Sequence, residues 1–339
     1  MLIYNILQKN CMNTKITIVT PSLNQASYIN QTIQSVINQK YSNIEYFIYD
    51  GKSDDGTAEI IQSYQSEIAY WESCKDKGQS NAINKGIMRS SGHFVGWINS
   101  DDYYNPNSIQ IIWSVLNCCA TINCVIGKIK YFYQDKPESY YSDNPIMESV
   151  EKTAGYGRIP QAAMFFSKEA YNYIGLLNEN LHYCMDLEWW IKYLLVFGVA
   201  NIGQTNQIIA NFRMHSFSKT VSQNKGFEIE RDSIYYSIAK QLGLERQANT
   251  LYKIGKINES YCFIFPCKMM TETAKKMIDY FLLLRGDEFY AAFERNKAFY
   301  CFSSINAKSL SKSDKKYFYK LMLKNLIIPS FVIKMLKKL

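Results

Sequence analysis

Over residues 16–98, short apolar, β-rich runs of strand length alternate with stretches whose apolar residues recur at helical spacing. This alternation constrains the fold more than any other feature. Strands joined by helices at this rhythm imply right-handed βαβ units, hence a mainly parallel sheet. Strands are expected at 16–19, 44–49, 68–71 and 94–98. Between them, Ile29, Ile33, Val36 and Ile37, then Ile60, Ile61 and Tyr64, then Ala82, Ile83 and Ile87 mark three helix faces. Pro21 is expected to end the first strand, since proline cannot donate to a central ladder.

Later elements follow the same reading. Ile109, Ile112, Trp113 and Leu116 predict a helix over 106–117, and strands are expected at 124–133, 162–166 and 208–214. The polar stretch 134–158 holds Pro137, Pro145, Gly155 and Gly157 and reads as a long loop. Asp186 opens an amphipathic helix through Leu187, Trp190, Ile191, Leu194 and Leu195. Beyond about Gly226 only helical patterns remain. The expected organisation is therefore an extension over 1–13 (disordered, or from an upstream start codon), an α/β domain over 14–225, and a helical region over 226–339. The last stretch interleaves lysines with apolar residues, from Lys312 and Lys316 to Lys337 and Lys338. That pattern suits either a capping helix or a helix lying on an anionic membrane surface.

Composition excludes several classes. The chain has 339 residues, 47% of them hydrophobic, and a net charge of +8 without an arginine-rich run, which does not point to nucleic acid. Its nine cysteines show no paired metal-ligand spacing and no secretion signal precedes them, so a reducing cytoplasm is expected. No run is long enough to span a bilayer. The loop after the first strand, Pro21-Ser22-Leu23-Asn24, lacks the glycines of a dinucleotide or P-loop phosphate site. With only His93, His182 and His215 and no GxSxG elbow, a serine triad is disfavoured.

What remains is a set of carboxylates at strand ends. Asp50 closes the second strand, Asp76 follows the third, and Asp101 and Asp102 close the fourth. Open α/β sheets bind ligands beyond the carboxyl ends of their strands. Asp50 can accept ribose or base donors, or serve only as an Asp-Gly turn. Asp76 can face a base or cap the helix beginning near Ser80. Asp101 can ligate a cation bridging a diphosphate. Asp186 can be a general base, or merely a helix N-terminal charge, with Glu188 as the fallback base.

The stretches ITIVTPSLNQASYINQTIQSVINQ, IYDGKSDDGT, DKGQSNAINKG, SGHFVGWINSDD, PQAAMFFSKEA, MDLEWWIKYL and FRMHSFSKT, in this order, resemble family 2 glycosyltransferases of the GT-A fold, and among these the bacterial enzymes of surface polysaccharide. The resemblance implies metal-dependent (Mn2+ or Mg2+), inverting transfer from a nucleotide-sugar, with a UDP-sugar the first guess, to a glycan or lipid-linked acceptor. It implies that Pro21, Asp50 and Asp76 line the nucleoside pocket and that Asn99, Ser100 and Asp101 contact the donor. Asp101 with Asp102 would hold the metal, Asp186 would be the catalytic base, and His215, with Ser216, Ser218 and Lys219, would close over the diphosphate. Gln161 and the stretch 134–158 would touch the acceptor. Asn99 replaces the first acid of the family's DxD element, and Met185 stands where the family often has Glu before its Asp. A cytoplasmic enzyme, peripheral at the membrane, is the implied setting. The alternatives are a sugar nucleotidyltransferase, which favours a glycine-rich basic loop after the first strand, and a non-catalytic assembly module at the membrane surface.

Overall fold

The computed structural model describes residues 14–216 and 218–327. The expected extension 1–13 and the basic residues beyond Ile327 lie outside the described residues. The first half follows the predicted alternation: β1 (Ile16–Ser22), α1 (Ile29–Ile37), β2 (Ile44–Asp50), α2 (Thr57–Ser63), β3 (Tyr70–Ser73), α3 (Gln79–Arg89) and β4 (Phe94–Trp97). β5 (Tyr103–Tyr104), α4 (Ser108–Leu116), β6 (Cys124–Tyr133) and β7 (Ser139–Tyr141) follow, then α5 (Val150–Tyr156), β8 (Met164–Ser167), α6 (Lys168–Ile174), α7 (Met185–Phe197) and β9 (Ile202–Met214).

One sheet runs β3-β2-β1-β4-β8-β6-β9-β5, with β7 paired to β6. β3, β2, β1 and β4 are mutually parallel, β8 is antiparallel to β4 and β6, and β9 is parallel to β6. The sheet is therefore parallel where βαβ units build it and mixed beyond β4. Every residue of β1 is buried, as expected of a strand covered on both faces. The core beneath it gathers Ile16, Ile18, Ile33, Ile48, Ile109 and Phe165.

Two expectations fail for identifiable reasons. Pro21 does not end β1, which pairs with β2 through Pro21↔Tyr49 and Ser22↔Asp50. Pairing with β4 stops at Val19↔Trp97. A missing N–H at position 21 therefore lies past the end of that neighbour and removes no ladder bond there. The stretch 134–158 is not one loop, because it contains β7 and α5. The Ser149 hydroxyl caps α5 by accepting from the Lys152 N–H at 3.2 Å. Gly155 is a close-approach residue: a Cβ there would lie 2.7 Å from Tyr280 Cβ and 2.8 Å from the Met277 carbonyl oxygen.

The described residues divide into two compact units, one of 14–145, Ile159–Trp189 and Val199–Asn224, the other of Ile146–Arg158, Trp190–Gly198 and 225–327. The sheet belongs to the first. The second is helical: α5 and the end of α7, with α9 (Asn224–Gln241), α10 (Glu245–Ile254), α11 (Thr271–Ala291), α12 (Arg295–Ser304) and α13 (Lys312–Ile327), while the short α8 (Lys219–Ser222) closes the first unit. Tyr235 of α9 stacks on Phe281 of α11 with ring centroids 3.6 Å apart. No helix among the described residues is long and apolar enough to cross a membrane.

Candidate active site

The site begins where β4 stops. The Ile98 N–H still donates to the Val19 carbonyl at 2.9 Å, and the chain then turns, with the Asp102 N–H donating to the Asn99 carbonyl at 3.1 Å. Thr32 of α1 pins this turn, its hydroxyl lying 2.9 Å from the Ser100 carbonyl oxygen and 2.6 Å from that of Asp102. The pinning fixes opposite fates for the two adjacent carboxylates. Asp101 reaches the rim, where its Oδ2 meets His215 Nε2 at 3.0 Å. Asp102 turns inward, 1% exposed. Its Oδ1 accepts the Arg213 backbone N–H at 2.9 Å. Burial, then the charge of Asp101, pushes its carboxyl well above the ordinary range. Asp102 thus ties β9 to the turn rather than standing beside Asp101.

Arg213 completes the scaffold. Its Nε donates to the Asp101 carbonyl at 2.9 Å, and its guanidinium lies 5.0 Å from the Tyr28 ring centroid and 5.1 Å from that of Phe132. Tyr28 in turn packs on His215 with centroids 4.7 Å apart. The imidazole is thus held between an aromatic face and a carboxylate.

A second chain of contacts crosses the rim. Gln79, at the start of α3, donates from Nε2 to Asn99 Oδ1 at 2.8 Å. Lys219 Nζ donates to Gln79 Oε1 and to the His182 carbonyl, each at 3.3 Å. Gln161 donates from Nε2 to the Trp97 carbonyl at 2.7 Å, two residues before Asn99 in the chain. Of the expected site residues, Asn99, Asp101, Gln161 and His215 therefore gather at the end of β4, with Ser100 buried in the turn.

The neighbouring strand ends, β1 and β2, carry two stitched loops. The Asn24 and Ala26 N–H groups donate to Ser53 Oγ at 2.8 Å and Asp55 Oδ2 at 2.9 Å. Asn24 itself takes φ 54°, a left-handed conformation that asparagine tolerates. Asp50 is buried and holds these loops, accepting from the Ser53 N–H at 2.9 Å and the Ser73 hydroxyl at 2.6 Å through Oδ2. Asp76 accepts the Gly78 N–H at 2.8 Å. Its other oxygen lies 3.3 Å from where a Gly51 Cβ would stand, so Asp76 flanks the Asp50-Gly51 strand end. Pro21 is buried in β1 one residue short of the Ser22↔Asp50 pair.

Asp186 sits half-buried in the first turn of α7, its Oδ1 2.8 Å from the Leu187 nitrogen. The Tyr131 hydroxyl is pushed up to about 12 by burial, then by Tyr140, Asp102 and Asp186. Asp186 is thereby within electrostatic reach of a tyrosine that also feels the Asp101-Asp102 turn. Glu188 is fully buried, and its Oε1 accepts from Asn178 Nδ2 at 3.1 Å, so the fallback base faces inward. Sequence reasoning missed Thr32, Gln79, Arg213 and Tyr28. None has a period or spacing that marks it, because each acts through a partner distant in the chain.

Residues 17–173 match the model of the family described as glycosyl transferase family 2. A glycosyltransferase of Bacillus subtilis, assigned provisionally to teichuronic acid biosynthesis, is 26% identical over 223 residues, covering 62% of this chain and 82% of that relative. The structure of S. aureus TarS in complex with UDP-GlcNAc superposes with a TM-score of 0.57 at 13% identity, over 92% of this chain and 89% of that one. A mannosyltransferase of Pyrobaculum calidifontis, in complex with GDP-Man and Mn2+, superposes with a TM-score of 0.50 at 14% identity, over 96% and 94%. At these identities the structural likeness speaks for the fold. The family match covers the strands that build the rim, so residues 17–173 carry a glycosyltransferase family 2 domain, and the structural likeness gives the chain the GT-A fold.

Proposed function

We propose that the protein transfers a sugar, with inversion, from a uridine diphosphate sugar to a hydroxyl of a glycan or lipid-linked acceptor in bacterial surface-polysaccharide assembly, working at the cytoplasmic face of the membrane. The observation that carries this reading is the Asp101–His215 pair, 3.0 Å apart at the end of β4. A carboxylate oxygen and an imidazole nitrogen make a donor set suited to Mn2+, and through the carboxylate to Mg2+. Among the described residues no group of three or more His, Cys, Asp or Glu converges on one point. Asp101 and His215 would hold the cation, which would supply positive charge beside the diphosphate. The inward-turned Asp102 supports Asp101 with His215, rather than Asp101 with Asp102, as the pair that holds the cation.

When bound, the cation would neutralise charge on the departing diphosphate. Lys219, which already spans Gln79 and the His182 carbonyl, adds a positive charge on the same rim. Asn99 keeps Oδ1 engaged by Gln79 and so presents an amide, not a second carboxylate, to the sugar. Asp76 and the strand end of Asp50 border the uridine, with Asp50 acting by holding the loops that form the pocket. Asp186 takes the proton of the attacking hydroxyl, and one displacement on the face opposite the leaving group inverts the anomeric carbon. Gln161, held by the Trp97 carbonyl, borders the acceptor.

The testing experiment is calorimetry of UDP with and without Mn2+. Wild type should bind UDP far better with the ion, and Asp101→Asn and His215→Ala should each remove that difference. Equal binding with and without Mn2+ in the wild type would refute the metal assignment.

A further inference from the structure

We infer that the outer face of α13 is a docking surface for an anionic lipid bilayer. Asp314, Phe318, Leu321 and Asn325 form the buried stripe of this helix. On the opposite side, at spacings of three and four, stand Lys316, Tyr319, Lys320, Leu323 and Leu326. Tyr319, Leu323 and Leu326 are 52%, 55% and 56% exposed. Three large apolar groups in line on one helix are unusual at a surface that meets only water.

Charge decides what covers them. Lys312, Lys315, Lys316, Lys320 and Lys324 all lie on α13, and the one acid of the helix, Asp314, is buried against Lys152 Nζ at 2.8 Å. The outward face therefore carries lysines and no acid. A second copy of the same face would repel it. A bilayer bearing negative headgroups matches it on both counts: the leucines and tyrosine enter the headgroup boundary while the lysine stems extend so that their ammonium groups stay in water. By sequence, the chain continues past Ile327 with Lys334, Lys337 and Lys338 and no acid, extending the same charge. The inference does not depend on which sugar or base the enzyme uses.

The test is vesicle co-sedimentation of the full chain, using phosphatidylcholine alone and phosphatidylcholine mixed with phosphatidylglycerol. Binding should occur with the mixed vesicles, weaken with salt, and be slight with phosphatidylcholine. A lysine near an anionic surface contributes about fivefold in partitioning, so Lys316→Glu, Lys320→Glu and Lys324→Glu together should lower binding by at least ~100-fold. The milder triple exchange to Gln should show a smaller loss in the same direction, and Leu323→Asp should lower binding roughly tenfold by removing inserted apolar surface. UDP binding should be unchanged in each, which separates this outcome from any failure of the donor-site assignment. The inference is overturned if neither vesicle binds, if both bind equally, if the triple variants bind like wild type, or if Leu323→Asp instead dissolves a dimer seen by gel filtration.

Discussion

Asn99 leaves the rim with one carboxylate fewer than the family's element, and the structure supplies a use for the amide: its Oδ1 accepts from Gln79 Nε2, while Gln79 Oε1 accepts from Lys219. A carboxylate there would replace the hydrogen bond that the Asn99 side chain gives Asp102 with a like charge. Asn99→Asp is therefore expected to leave the fold intact and to alter Mn2+ affinity measured by UDP calorimetry. Asp186 makes a sharper prediction. If it is the base, Asp186→Asn keeps Mn2+-dependent UDP binding and lowers turnover by about 10²–10⁴-fold, the usual worth of a positioned base. Glu188→Gln, by contrast, should act on melting temperature through the Asn178 contact and leave turnover within a few-fold. These two variants side by side decide between the acids of α7.

At the scale of elements, close approach matters as much as periodicity. A Cβ on Gly86 of α3 would lie 2.5 Å from both Cγ atoms of Val19 in β1. Gly86→Ala gains helix propensity worth up to ~1 kcal/mol but forces a packed strand apart, so a net loss of about 1–2 kcal/mol is expected in denaturant unfolding. Combining it with Val19→Ala should cost less than the sum of the two, because the pair shares one space. The helical unit holds a different device. Lys152 of α5 pairs with Asp314 of α13 at 2.8 Å, and Tyr280 and Ser311 hydroxyls donate to the same carboxylate at 3.0 and 2.6 Å. Burial by itself would raise the Asp314 carboxyl, but hydrogen bonds from Lys152, Ser311 and Tyr280 and the lysine's charge outweigh it and hold it low. Burial likewise opposes the Lys152 ammonium, and Asp314 and Glu148 outweigh it and raise it. A depressed carboxylate stabilises the fold above its unfolded value of about 3.9 and loses that contribution as pH falls through the depressed value. The raised ammonium contributes until pH climbs past about 10.4. Melting temperature should therefore fall below pH ~4, and Asp314→Asn should flatten that limb while costing roughly 2–3 kcal/mol at neutral pH, somewhat under a fully buried pair.

For the whole molecule, the reaction products discriminate the readings that the motifs alone left open. Transfer releases free nucleoside diphosphate, and nucleotidyl transfer releases pyrophosphate. Incubation with a UDP-sugar, Mn2+ and a glycan acceptor is expected to release UDP, and incubation with UTP and a sugar 1-phosphate is expected to release no pyrophosphate. In a thermal-shift panel, a nucleoside diphosphate at about a hundredfold its Kd should add close to 2.7 kcal/mol, and that gain should need the cation. The sequence by itself determined the parallel half of the sheet, the helices between its strands, the acids at strand ends and the family resemblance of that half, because those depend on local periodicity and on motifs read along the chain. The tertiary structure decided which acid faces the rim. Asp101 and Asp102 are neighbours with the same side chain, and only Thr32 beneath the turn and the Arg213 N–H of a strand more than a hundred residues later send one outward and the other inward. The same holds for Pro21, whose tolerance depends on where β4 ends, and for Gly155, which reads as a loop residue until α11 is seen against it. Each of these outcomes is set by a partner distant along the chain, and spacing carries no record of such a partner.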